Sequence, residues 1–219
     1  MSQKRLALIH TSAIMIPIFN ELCAKFLPDV EVVHTVDESL LKSIIADKKL
    51  SKSTARRVIG HIISAGEAGA DCIMVTCSSI GPAADLGRQL VDVPVVRVDE
   101  PMAVLAVETG SKIAVVATLP STLNPTAELI EAQAQKKSKE INLTKKLCEG
   151  AFEAVISGDG LTHDKIVSTG IRELAEKVDV IVLAQASMAR VVDSLPAESK
   201  KIPILSSPRL AVEHLVTLF

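Results

Sequence analysis

Short, nearly continuous apolar runs recur along this chain, separated by longer stretches in which apolar residues return every three or four positions. A run of four to eight aliphatic residues bounded by polar turns reads as a strand buried on both faces; the longer periodic stretches read as helices lying on a sheet. On this pattern strands fall at 5–10, 30–34, 72–76 and 94–98, then again at 112–117, 140–143, 179–184 and 202–205. Helices fall at 13–26, 52–68, 80–90, 121–137, 144–157, 164–177 and 208–218. Strands that alternate with helices predict an α/β fold of parallel sheets covered on both faces.

The pattern occurs twice. The stretches "DCIMVTCSSI" and "DVIVLAQASM" share an aspartate, an apolar strand and a polar loop, and Asp71 and Asp179 lie 108 residues apart. The same offset sets Lys4 on Lys112, aligning "KRLALIHTS" with "KIAVVATLP", and "VPVVRVDEPMAV" matches "IPILSSPRLAV" within a residue. A repeat of half the chain length predicts two pseudo-symmetric lobes and not a short-period solenoid. Residues 1–100 form the first and 101–207 the second, each a four-stranded parallel sheet flanked by helices. The terminal helix, 208–219, is free to pack back on the first lobe.

In such sheets ligands bind beyond the carboxyl ends of the strands. That rule selects His10-Thr11-Ser12, His34-Thr35-Val36-Asp37, Thr76-Cys77-Ser78-Ser79, Asp99-Glu100, Thr118 with Ser121 and Thr122, Gln185-Ala186-Ser187, and Ser206-Ser207. If the lobes face one another across a pseudo-two-fold axis, Cys77 and Gln185 meet in one inter-lobe cleft, where the active site is expected.

Composition narrows the ligand. Tryptophan and tyrosine are absent and only four phenylalanines occur, so the chain offers no aromatic platform for stacking bases. A net charge of -2, with both signs interspersed, leaves no electrostatic footprint for nucleic acid or an acidic membrane. The expected partner is a small molecule. The four cysteines, at 23, 72, 77 and 148, show neither metal-site pairing nor disulfide density, so no metal is expected and a reducing compartment is. The N-terminal "LALI" is cut short by His10 and Thr11, and no run approaches the roughly 20 apolar residues of a membrane span. The expectation is a soluble, cytoplasmic protein.

Cys77 ends an apolar strand and enters Ser78-Ser79-Ile80-Gly81-Pro82. At a helix N-terminus, backbone N–H groups and the helix dipole would favour its thiolate, and Ser78, Ser79 and the following amides would bind a carboxylate or a developing enolate. The plainer alternative is a small turn residue. Cys23, Cys72 and Cys148 lie in apolar patterns and read as core. His10 and His34 end the first two strands and are candidate bases, since imidazole titrates near neutral pH; hydrogen-bonding or solvent-facing roles serve equally. His61, His163 and His214 read as surface residues. Asp99 suits a helix cap before Pro101, or a carboxylate that orients a histidine or binds a substrate amine. Thr11, Ser12, Thr118, Ser121, Thr122, Ser187 and Ser207 supply neutral donors for a carboxylate ligand, and Ser121 also suits the cap of its own helix.

Together "DCIMVTCSSIG", "KIAVVATLPSTLNPT" and "DVIVLAQASMARV" resemble, in order and over essentially the whole chain, the aspartate/glutamate/hydantoin racemase superfamily, which includes maleate isomerase and arylmalonate decarboxylase. The resemblance implies two α/β lobes with the site between them, no cofactor, and homo-oligomers. It also implies a cysteine from each lobe beside the substrate's alpha carbon, one removing a proton and the other delivering one. This chain departs at one place. It reads Leu183-Ala184-Gln185-Ala186-Ser187-Met188-Ala189 where hydantoin racemase-like members read Leu-Gly-Cys-Ala-Gly-Met-Ala. A glutamine amide hydrogen-bonds well but has no proton chemistry near neutral pH. The implied function is a cofactor-independent racemase or isomerase acting on a small carboxylic acid through Cys77, with Gln185 in place of the second cysteine. A decarboxylase or lyase with one-sided protonation by Cys77, and a non-catalytic small-acid binder, are the alternatives.

Overall fold

The computed structural model of the chain describes residues 3–195 and 200–219. It divides into two compact units: the chain up to Pro101 together with Pro208–Phe219, and Met102–Ser207.

The first unit is built on strands β1 (Arg5–His10), β2 (Glu31–Val36), β3 (Cys72–Val75) and β4 (Val95–Arg97), all parallel, in the order β2-β1-β3-β4. Because side chains alternate across a strand, its apolar runs split cleanly between two cores. Ala7, Ile9, Ile73, Val75 and Val95 face one way, onto α2 (Glu38–Asp47), α3 (Lys52–Glu67) and α4 (Gly81–Gly87). Leu6, Leu8, Cys72, Met74 and Val96 face the other way, with Phe19 and Cys23 of α1 (Met15–Phe26) and with Ala211, Val212 and Leu215 of the last helix, Ser207–Leu215. Helix α5 (Glu100–Thr109) carries the chain into the second unit.

The second unit repeats the plan with β5 (Lys112–Ala117), β6 (Asn142–Leu147), β7 (Val180–Leu183) and β8 (Ile204–Ser206) in the order β6-β5-β7-β8, again all parallel. Ala114, Val116, Ile181 and Leu183 pack with Val167, Ile171 and Leu174 of α8 (Gly160–Leu174) and with Val191 of α9 (Ala189–Ser194). Helix α6 (Pro120–Lys136) packs on β5 and β6, α7 (Ala151–Ile156) packs on α8, and the last helix, already described, is α10.

The duplicated aspartate has a structural role. Asp71 accepts the backbone N–H of Arg5 at 2.8 Å, and Asp179 accepts those of Ser111 and Lys112 at 2.9 and 2.8 Å, so each pins the start of the strand beside it. These bonds also correct the alignment: Arg5, not Lys4, stands where Lys112 stands. The shift of one residue brings Thr11 into correspondence with Thr118. Two further expectations fail. Residues 144–157 are not one helix, because Asn142–Leu147 pair with β5 as an edge strand. An edge strand is buried on one side only, so its "NLTKKL" carries the polar pattern of a helix surface. Helices α2 and α5 occupy stretches in which the periodicity predicts no helix; α5, "EPMAVLAVET", is apolar nearly all round and so has no helical stripe to read.

Candidate active site

In both sheets the strand order reverses between the first and third strands in sequence, β1 and β3 in one unit, β5 and β7 in the other. The loops leaving such a pair of strands diverge to opposite faces, which opens a crevice at their carboxyl ends. Cys77 and Thr11 leave one of these points, Gln185 and Thr118 the other.

Cys77 and Gln185 stand in matching backbone positions. Each is the residue before a 3-10 turn, Ser78–Ile80 or Ala186–Met188, with φ/ψ of -130/121° at Cys77 and -129/139° at Gln185. Each carbonyl accepts the N–H three residues on, from Ile80 at 3.2 Å and from Met188 at 3.1 Å. Cys77 is half-buried, whereas Cys23, Cys72 and Cys148 lie in the core. Burial pushes the thiols of Cys23 and Cys72 up to about 11 and raises that of Cys148.

The side chain of Gln185 is closed onto Thr118. Its Oε1 accepts the Thr118 backbone N–H at 2.6 Å, and its Nε2 donates to the Thr118 hydroxyl at 2.8 Å. One N–H of the carboxamide is left over from this two-point contact, and the group can neither take nor give a proton near neutral pH. The second sheet therefore presents a neutral, hydrogen-bonding group where the first presents a thiol.

The first unit holds a polar chain, buried at His10 and Thr76, for which the described residues of the second show no counterpart. His10 is fully buried; its Nε2 lies 2.9 Å from His34 Nδ1, and its Nδ1 lies 2.8 Å from the hydroxyl of Thr76, the residue before Cys77. His34 Nε2 lies 2.8 Å from Asn20 Oδ1. The carbonyl oxygen of Asn20 requires His34 to donate from Nε2, so His34 Nδ1 accepts from His10 Nε2–H and His10 Nδ1 accepts from Thr76, whose alternative acceptor is the Ile9 carbonyl at 3.0 Å. Both imidazoles are neutral in this arrangement. Burial, reinforced by His34, lowers His10 to about 4, and burial lowers His34 as well. His34 cannot take a proton without giving up its bond from His10, whereas His10 can take one at Nδ1 only if the Thr76 hydroxyl turns to donate to the Ile9 carbonyl. His34 lies within β2 rather than at its end, because the strand runs on to Val36.

Asp99 is fully buried at the end of β4, and Arg97 holds both of its carboxylate oxygens through Nε and Nη2, each at 3.0 Å. It is thus committed to an arginine and not to a histidine. Arg97 lies in the middle of the apolar "PVVRV", where a charge signals a buried partner. That signal, together with Asn20, is absent from the candidates drawn from the sequence, and Thr76 figures there only as the start of the Cys77 loop.

The hydroxyl candidates divide by position. Thr11, Ser78, Ser79, Thr118, Thr122 and Ser207 are buried, Ser12 and Ser121 are half-buried, and Ser187 is exposed. Ser121 does not cap its helix: α6 begins at Pro120, its cap residue is Leu119, and no side chain caps it. His163 is not a surface residue. It is fully buried with Nδ1 2.6 Å from Asp164. Among the described residues no group of three or more histidines, cysteines or acids could hold a metal, and no helix is long and apolar enough to cross a membrane.

The sequence profile of the Asp/Glu/hydantoin racemases matches residues 8–215. The chain belongs to that family. It is accordingly an enzyme of the racemase superfamily. No curated protein matches it in sequence. Solved structures similar to it include a candidate Asp/Glu racemase from Yersinia pestis, 16% identical, TM-score 0.76, covering 98% of both chains. They also include glutamate racemase from Francisella tularensis in complex with D-glutamate, 16% identical, TM-score 0.75, covering 100% of this chain and 81% of that one. Arylmalonate decarboxylase is more distant, 13% identical, TM-score 0.56, covering 98% of this chain and 92% of that one. At these identities the similarity establishes the fold: two four-stranded parallel sheets flanked by helices.

Proposed function

We propose that this enzyme is a cofactor-independent, racemase- or isomerase-type catalyst for a small carboxylic acid, with Cys77 as its one acid/base thiol. The observation that carries the reading is the pairing of matched turns: the same backbone presents a half-buried thiol at Cys77 and a carboxamide locked onto Thr118 at Gln185. Cys77 moves the proton at the substrate's alpha carbon. The amides of the turn after it, with Ser78 and Ser79, stabilise the negative charge that builds on the carboxylate as the enediolate forms. Thr11, Ser12, Thr118, Ser121, Thr122 and Gln185 supply neutral donors for binding, Ser187 stands apart from them as an exposed residue, and Asp99 contributes through Arg97. His10 and His34 act on the thiol's side by holding Thr76, not as free bases.

With a single thiol, proton delivery from one face is the simplest chemistry. This favours decarboxylation or elimination as a second reading, in which a carbanion formed by loss of another group is protonated by Cys77. The test is iodoacetamide labelling at pH 7 with Cys77→Ala as control, followed by deuterium exchange at the alpha carbon across a panel of small acids in heavy water. Alkylation of Cys77 about tenfold or more faster than an ordinary thiol, with exchange abolished in Cys77→Ala, supports the proposal. Ordinary reactivity together with turnover that survives in Cys77→Ala refutes it. Exchange without inversion selects the one-base enzyme, and absence of exchange across the panel points to a small-acid binder.

A further inference from the structure

The turn that begins at Cys77 rests on a buried arginine. Arg97 pairs in register with Val75, two residues before Cys77, and only 3% of it is exposed. From that strand its guanidinium reaches past the turn and lies against Gly81, four residues after Cys77. A Cβ at Gly81 would sit 2.6 Å from Nε and Nη2 and 2.7 Å from Cζ. Asp99 grips the guanidinium through two bonds, and Asp85 of α4 takes Nη1 at 2.6 Å. Arg88 extends the network from Asp85, at 3.6 Å, to Glu100, at 2.9 Å. The ladder before Cys77 and the helix after it are thus tied to one rigid fork.

The internal repeat serves as a control. Where the first unit has Arg97 against Gly81, the corresponding positions of the second, at the end of β8 and the start of α9, are Ser206 and Ala189. In one half a large residue is matched with glycine, and at the same two positions of the other half a small residue is matched with alanine. The exchange is complementary in size, and the arginine is found only in the half that carries the thiol. A buried arginine is costly unless all its charge is matched, so its place beneath this one turn calls for a role beyond filling volume.

We propose that Arg97 is the positioning residue of the Cys77 turn: seated on Gly81 and held by Asp99 and Asp85, it fixes where the backbone amides after Cys77 point relative to the thiol. It touches no substrate in this role. The inference rests on Cys77 being the reacting group, and its test uses the thiol's own chemistry. In the full chain, the rate of Cys77 carbamidomethylation is measured by mass spectrometry from pH 6 to 10 for wild type, Arg97→Met, Arg97→Lys and Asp99→Asn, with native circular dichroism as the folding check. Arg97→Met and Asp99→Asn are expected to change the rate at neutral pH by about fivefold or more and to move the midpoint of its pH profile by about half a pH unit or more. Arg97→Lys keeps the charge but not the fork and should recover only part. If Arg97→Met does not fold, the triple variant Gly81→Ala, Arg97→Ser, Asp99→Asn copies the second unit's own small pairing and takes its place. Folded variants that alkylate with the wild-type rate and midpoint overturn the proposal, because a purely structural arginine changes stability but not the thiol. An ordinary wild-type thiol whose profile still moves in the variants sinks the catalytic reading and leaves this one standing.

Discussion

Acidification should weaken this fold through His10, and the size of the effect follows from its surroundings. The unfolded chain has an ordinary imidazole at 6.5, whereas the folded one is held at about 4 by burial and by His34. Between those values the unfolded state binds the extra proton. The stabilising contribution is therefore complete above pH 6.5 and is lost as pH falls toward 4. At pH 5 these two values correspond to a loss of about 2 kcal/mol from His10 alone. His34 is lowered too and adds in the same sense. Asp37, held down to about 2 by hydrogen bonds from Ser39 and His61 and by Arg57, stays ionised throughout this window and does not contribute. The assay is urea unfolding at pH 7.5 and 5.0, followed by circular dichroism because the chain has no tryptophan. His10→Gln retains a donor for His34 but cannot titrate, so it should lose about 2 kcal/mol less than wild type between the two pH values. Identical losses in the two proteins, or a His10 proton NMR signal that titrates near 6.5, would refute the reasoning.

Three other outcomes follow. Gln185→Ala removes both bonds to Thr118 and should cost about 1–2 kcal/mol of stability, with faster hydrogen exchange of the Thr118 amide; an unchanged exchange rate would show that the contact does not persist in solution. Gly110→Ala should be destabilising by about 1–3 kcal/mol, because the added Cβ would lie 2.3 Å from the Cβ of Asp179; a wild-type melting temperature would contradict that packing. In the native protein Cys23, Cys72 and Cys148 should stay unlabelled by iodoacetamide while Cys77 reacts, all four becoming equivalent in urea. Labelling of a core cysteine at the Cys77 rate under native conditions would refute that ordering.

Hydrophobic period and internal repetition are local properties of a chain, and they were enough to place eight strands in two equivalent sets and to set Cys77 against Gln185. The aspartates at 71 and 179 mark the repeat because each must pin a neighbouring strand, and the aliphatic runs mark the sheets because parallel strands are buried on both faces. The extent of edge strand β6 and the presence of helix α5 escaped because their patterns reflect one-sided or all-round burial, which only the assembled layers define. The same limit applies to the site. A sequence shows that residue 185 is an amide and residue 97 a charge in an apolar strand. Only the tertiary structure closes that amide onto Thr118, holds His10 neutral between His34 and Thr76, and seats Arg97 on Gly81. Those contacts join residues 16 to 67 positions apart, and burial sets their protonation and geometry, so no local pattern carries them.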